Sequence, residues 1–175
     1  MDVFQNRFDG SIDFYRNSTD YENGFGNLFT EFWLGLGIMQ EIVSNGPIEL
    51  RMDLTDGDGT TVYETFQNFH LDAGPEYTIH LDPGQGTAGD DISDLGMSYL
   101  NGMHFTTKDV DRDPYLPENC AQGQHGAWWY NQCGGVNLNG EYATPGFQHP
   151  KGYWFGIFYQ PYSFNSLKAT KLMFR

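Results

Sequence analysis

Apolar and polar residues alternate from Ile48 to Leu54 (IELRMDL). That period of two sends successive side chains to opposite faces, the mark of a half-buried strand. The turn-forming run Asp56-Gly57-Asp58-Gly59 comes next, and the β-branched and aromatic stretch Thr61 to Phe69 predicts the returning strand of a hairpin. Glu76 to Leu81 (EYTIHL) predicts a third strand, and together these suggest an antiparallel sheet. One closing strand is expected at Ala169 to Phe174. Helical signals are short. Asp20 is the N-cap candidate of a helix that Gly24 and Gly26 soon break, and Gly37 to Ser44 (GIMQEIVS) predicts a second, ended by Asn45-Gly46-Pro47. Phe25, Leu28, Phe32, Trp33 and Leu34 are expected to supply core.

The chain has 175 residues, which fits one domain. A chain of that size can bury about 70% of the surface its unfolded form exposes. Aromatics at 17% and 22 glycines point to a loop-rich fold with short strands. The formal net charge of −14 argues against nucleic-acid and anionic-membrane partners, which need clustered Lys and Arg. No apolar run approaches the roughly 20 residues of a membrane span, so no membrane insertion is expected. Residues 1–20 contain no apolar signal-peptide core.

Chemistry is concentrated between Asp109 and Cys133 (DVDRDPYLPENCAQGQHGAWWYNQC). The alternating Asp109, Asp111 and Asp113 suit a hard cation such as Ca²⁺, which takes oxygen ligands from carboxylates and carbonyls. The kinked stretch after them offers the backbone carbonyls of Leu116 and Glu118. The simpler alternative is a solvated acidic turn. The pattern is no EF-hand, and the nearby His and Cys lack zinc spacing. Cys120 and Cys133 enclose 12 residues, wrong for CxxC chemistry and most simply a disulfide, hence an oxidising compartment; two buried thiols are the alternative. Asn17-Ser18-Thr19 is a glycosylation sequon. Asp56 to Gly59 reads as a hairpin turn rather than a cation loop. His70 and His80 stand without a partner motif and read as structural. With no GxSxG and no HExxH, a binding module fits better than an enzyme.

The run NGMHFTTKDVDRD…ENCA…GAWWYNQC…NLNGEY resembles the C-terminal half of the fibrinogen-like domain of fibrinogen, ficolins, tachylectins, tenascins and angiopoietins. DGSIDFYRNSTDYENGFGN–EFWLGL resembles the entry motif of the same family, with ELRMDL and GTAGDD in order between. The resemblance spans residues 4 to 175 and implies a single domain, 1–175, without the family's N-terminal portion. Its fold is expected to be α+β: a central antiparallel sheet with short flanking helices over about 1–95, then a loop-rich part over about 96–175. Calcium, disulfide and aromatics would hold that second part. Gln85 to Leu100 resembles the segment that connects the two.

The family's ligand pocket adjoins its calcium loop and uses the peptide bond before the second cysteine, often cis, which here is Gln132–Cys133. Carried over, the pocket comprises Gln124, Gln132, Cys133, Gly134 and His149, and the metal site Asp111, Asp113, Leu116 and Glu118. Two departures stand out. Acetyl-binding relatives tend to have Tyr, His and Tyr where this chain has Gln124, Gly134 and His149, so an acetyl methyl would lose its aromatic cup. Between Asp113 and Cys120 there is also one residue more than usual. The resemblance implies a secreted, extracellular, calcium-dependent pattern-recognition lectin of innate immunity that binds microbial surface carbohydrates. Its alternative is an interaction module for a protein partner such as a receptor or matrix component. A homo-oligomer of the full-length protein would add multivalency to a weak single site.

Overall fold

The computed structural model describes residues 2–90 and 95–175, so 91–94 of the connecting segment lie outside the described residues. The chain lays down β1 (Asp2–Arg7), α1 (Ser18–Asn23), β2 (Phe25–Gly26), β3 (Phe32–Trp33) and α2 (Leu36–Val43). Next come β4 (Ile48–Thr55), β5 (Thr61–Leu71), β6 (Ile79–His80) and β7 (Gln85–Gly86). α3 (Cys120–Gln124), β8 (Val136–Asn137), β9 (Phe158–Tyr159) and β10 (Ala169–Phe174) complete it. The main sheet runs β2-β3-β1-β10-β4-β5-β6, with β7 also on β5, and its pairings are antiparallel. None of the described helices is long and apolar enough to cross a membrane.

The hairpin follows its pattern. Leu50, Met52 and Leu54 of β4 are fully buried, while Glu49, Arg51 and Asp53 face outward or the rim. On β5 the alternation slips by one: Glu64 and Phe66 are buried, then Phe69 and Leu71. The register shows why, since Leu50 pairs with Phe66 and Ile48 with Phe69. The extra residue is a β-bulge, and Asn68 absorbs it at φ 56, a left-handed conformation that Asn tolerates. The expected third strand shrinks to Ile79–His80 because Tyr77 is also left-handed, at φ 47. Its carbonyl accepts the Trp129 indole N–H instead (2.7 Å).

Two expectations fail at the N-terminal side. The first helix is capped by Asn17, whose Oδ1 accepts the Asp20 N–H at 2.9 Å; Asp20 lies inside the first turn. Leu28 is 68% exposed at the tip between β2 and β3, not core. The sheet also crosses the expected division near residue 95. β10 lies between β1 and β4, so the last strand of the chain is central to a sheet begun by the first.

β1 hides from a hydrophobic pattern because it buries Gln5 and Arg7. Gln5 Nε2 donates to the Leu138 carbonyl and Asn139 Oδ1, both at 3.1 Å, and its Oε1 accepts from the Thr170 hydroxyl. Arg7 donates to the carbonyls of Leu138 and Gly140 and lies over the Phe14 ring at 4.0 Å. Burial pulls its guanidinium down to about 10, against the opposing pull of Glu31. Glu31 is itself fully buried, and its carboxylate accepts the N–H groups of Phe8, Asp9, Gly10 and Ile12 at 2.7–3.2 Å. Such charge-assisted bonds satisfy loop donors that no ladder reaches.

The Glu31→Ala variant strands those donors and removes the carboxylate that interacts most strongly with Arg7. Removing one partner of such a set costs about 3–5 kcal/mol. Urea unfolding should show a loss of that size; a change below about 1 kcal/mol would mean that water replaces the carboxylate at no cost.

Candidate functional site

A run of side chain-to-backbone bonds shapes the loop before α3. Asp111 Oδ1 accepts the Asp113 N–H (3.2 Å), and Asp113 Oδ1 accepts the Tyr115 N–H (3.0 Å). Asp113 Oδ2 then reaches the Cys120 N–H (3.0 Å), closing the loop onto the start of α3. Asn119 caps that helix through the Gln122 N–H and ties it back to the Thr107 carbonyl through Nδ2. Asp109, the first of the alternating acids, turns elsewhere: it accepts from Ser18 N–H and the Thr107 hydroxyl, holding α1.

Asp111 and Asp113 remain as neighbours. Burial, then the Asp111 charge, push Asp113 up to about 6 even though it accepts two N–H bonds. Two crowded carboxylates with no opposing cation among the described residues have the donor chemistry that a hard divalent ion neutralises. Leu116 and Glu118 lie on the turn closed by the Glu118 N–H onto the Tyr115 carbonyl (3.4 Å), with the Leu116 side chain 97% exposed. Their contribution to a cation would be carbonyl oxygens only.

Cys120 and Cys133 are joined, with Cα atoms 5.0 Å apart. The bridge clamps α3 to the segment after Trp128-Trp129-Tyr130. The Gln132–Cys133 bond is trans, whereas the family pattern favours cis there. Unusual backbone appears instead as two successive left-handed residues, Gln132 (φ 53) and Cys133 (φ 61). Each costs on the order of 1–3 kcal/mol and persists only where its surroundings over-determine it. The disulfide does so on one side. Gly135 does so on the other, since a Cβ there would sit 1.9 Å from the Leu95 carbonyl oxygen.

Between the loop and this turn lies an open groove of about 360 Å³. Gln124, Gln132, Cys133 and Gly134, the residues carried over from the resemblance, line it, and so do Glu118, Tyr115, Tyr153 and Trp154. The missing aromatic cup is therefore partly replaced. Tyr153 and Trp154 pack edge-to-face at 5.1 Å, with Trp154 43% exposed. Their signal was the GYWFG run, unreadable as a site until the fold brings it to α3. Asn137 does that bringing. Its buried amide donates to the carbonyls of Gln124, Trp154 and Gly156 at 3.0–3.1 Å, and its Oδ1 accepts from the Tyr130 hydroxyl.

Gln124 is 5% exposed, and its Oε1 accepts no hydrogen bond from the described residues. Gly134 has nothing within 4 Å of a Cβ position, so a side chain there would enter the groove unopposed. His149 is not in the groove lining. Its Nε2 meets Glu141 at 3.0 Å and its Nδ1 accepts the Lys151 N–H, a structural role behind the site. Glu141 also takes His125 Nδ1 at 2.6 Å and Lys151 Nζ at 3.3 Å. Burial raises its carboxyl, but those hydrogen bonds outweigh it and hold Glu141 below its usual range.

The whole chain, residues 1–175, matches the family model described as the C-terminal globular domain of fibrinogen beta and gamma chains. Tenascin-R of Gallus gallus is 38% identical over 97% of this chain, and fibrinogen-like protein A of Apostichopus parvimensis is 44% identical over 80%. The chain covers 13% and 49% of these relatives, a minor part of their length. The fibrinogen-like globe domain of human ANGPTL2 superposes with a TM-score of 0.92 at 36% identity, over 99% of this chain and 78% of that one. Lamprey fibrin D-dimer, complexed with the peptide ligand Gly-His-Arg-Pro-amide, gives 0.86 at 31% identity, over 98% and 60%.

Replacing Cys120 and Cys133 together by Ser should lower stability by about 3 kcal/mol, the loop-closure contribution for a loop of this length. Unfolding monitored by tryptophan fluorescence measures it, and an unchanged midpoint would show that the aromatic packing alone fixes the turn. The acid limb tests Glu141. Its carboxyl lies lower in the folded chain than in the unfolded one, so its stabilisation is present above the unfolded carboxylate range. That contribution is lost as pH falls through the folded value. Glu141→Gln should therefore be less stable at neutral pH and converge on the parent below about pH 4.

Proposed function

Because the chain belongs to the family of the fibrinogen C-terminal globular domain, we propose that it is an extracellular recognition module that takes a basic peptide segment of a protein partner into the groove. The observation that carries this reading is the buried, unpartnered Gln124 Oε1 in the groove lining. A buried acceptor without a donor costs about 1–3 kcal/mol, recovered when a ligand brings an N–H. Peptide amides, amino termini and guanidinium groups bring them. The rest of the groove agrees: Glu118 supplies a carboxylate, the rings of Tyr115, Tyr153 and Trp154 suit a cation or an apolar side chain, and among the described residues no Lys or Arg lines it. A formal charge of −14 steers a basic partner to the surface. The peptide-bound lamprey fibrin supports the same class of ligand, and the disulfide supports an oxidising, extracellular setting.

Ca²⁺ is the proposed cofactor, at Asp111 and Asp113 with carbonyls of the 115–118 turn. Its part is indirect. Neutralising the two carboxylates would stiffen the loop that ends at the Cys120 N–H and so hold Glu118 and Tyr115 at the groove wall. Microbial glycans are the second reading, favoured by the half-exposed Trp154 ring, which can stack on a sugar face.

Fluorescence titration with Gly-His-Arg-Pro-amide as probe separates the two. Binding to the calcium-loaded protein should weaken about tenfold or more in Gln124→Leu, which keeps volume but removes the acceptor. It should vanish in Gly134→Trp and decline when Ca²⁺ is chelated. Peptide binding indifferent to both substitutions, beside glycan-array signals that Gly134→Trp abolishes, would reverse the order of the readings.

A further inference from the structure

The two histidines read from sequence as structural meet a third ligating group once the strands pair. His70 lies on β5, and Asp72 follows directly after its last residue, Leu71. His80 of β6 stands directly opposite His70 in the register. The imidazole rings stack at 4.4 Å with 7° between planes, and His80 Nε2 lies 3.0 Å from Asp72 Oδ2. One ligand atom from each of the three residues falls within 4.8 Å of the others.

We propose that His70, Asp72 and His80 form a binding site for a zinc-class divalent ion at the β5–β6 edge. Two imidazoles and a carboxylate are a donor set for Zn²⁺ rather than for Ca²⁺, which prefers oxygen alone. Tetrahedral Zn²⁺ takes nitrogen and oxygen at about 2.0–2.2 Å, so its ligands stand about 3.3–3.6 Å apart. The Asp72–His80 pair is already near that separation, and His70 would have to leave its stack on His80 and turn its Nε2 toward that pair.

The groups that would orient His70 are in place. His70 Nδ1 lies 3.3 Å from the Asn68 carbonyl, which can only accept, so the ring proton sits there and Nε2 keeps its lone pair for a metal. Asn68 is the bulge residue, and its own amide donates to Asp82 Oδ2 at 2.7 Å. The bulge that breaks the alternation of β5 thus also aims His70. The ion would replace the His80 Nε2–Asp72 contact: a neutral His80 would carry its ring proton on Nδ1 and turn the Nε2 lone pair to the metal. Three protein ligands leave a fourth tetrahedral position open to water or to a donor from another molecule. None of the three residues lines the groove, and the ion would instead clip β6 and the 72–78 turn to β5.

Calorimetry with ZnCl₂, in two buffers of different ionisation enthalpy, tests the site on the intact chain. The parent should bind one Zn²⁺ here, with the same stoichiometry in both buffers. His70→Gln with His80→Gln should weaken this on the order of a hundredfold or more. Asp111→Asn with Asp113→Asn, and separately His125→Gln, should leave it unchanged. Zinc should raise the melting temperature of the parent by mass action and not that of the double-histidine variant. Histidine ring NMR signals provide a readout independent of variant folding, because those of His70 and His80 should be the ones that shift. Zinc heats that persist unaltered without both histidines, or shifts confined to His104, His125 or His149, would overturn the proposal, as would no zinc heat in the parent.

Discussion

The molecule depends on one aromatic junction. Trp33 of β3 lies within 5.4–6.4 Å, centroid to centroid, of Phe4, Tyr21, Phe105, Trp128 and Trp129. Those rings come from the first strand, the first helix and the stretch just before the groove. Edge-to-face and tilted pairs of this kind add about 0.5–1.5 kcal/mol each beyond the area they bury. The indoles are also anchored, Trp33 to the Tyr21 carbonyl and Trp129 to that of Tyr77. The turn at Gln132 and Cys133 therefore rests on a dense, immobile base, which is what a left-handed pair needs to persist.

Around that junction the protein replaces regular structure with buried polar side chains. Glu31 gathers four loop N–H groups, Glu64 gathers those of Ala88, Gly89 and Asp90, and Asn137 gathers three carbonyls. Burial raises the Glu64 carboxyl despite its bonds. A loop-rich chain has many peptide groups that no ladder satisfies, and each of these side chains satisfies several at once. This is how short strands and long connections can hold a groove open beside the small β8–β9 sheet.

What the sequence revealed followed the physics of periodicity and punctuation. β4, α2 and β10 were legible because each has a face of uniform polarity and a clear stop. The Cys120–Cys133 bridge was legible from loop length and the rejection of other cysteine chemistry. β1 was not, since its inward residues Gln5 and Arg7 look like surface. Asn17 was overlooked as a cap because Asp20 is an equally good capping residue three positions on. At the groove, Gln124, Gln132, Cys133 and Gly134 followed from family resemblance, whereas Tyr153 and Trp154 depend on a tertiary contact through Asn137. The zinc-type triad needed the register of His70 against His80, which a bulge sets and no local pattern records.

The position of β10 bears on how the protein is made. Until Ala169–Phe174 has left the ribosome, β1 and β4 each present an unpaired edge, with Leu50, Met52 and Leu54 beside it. Every other strand of the sheet is synthesised well before that gap can close. Nascent chains should spend that interval as templates for unwanted pairing with one another, a hazard of sheets with late, non-local closure. Chaperones that shield exposed strands would therefore raise its yield.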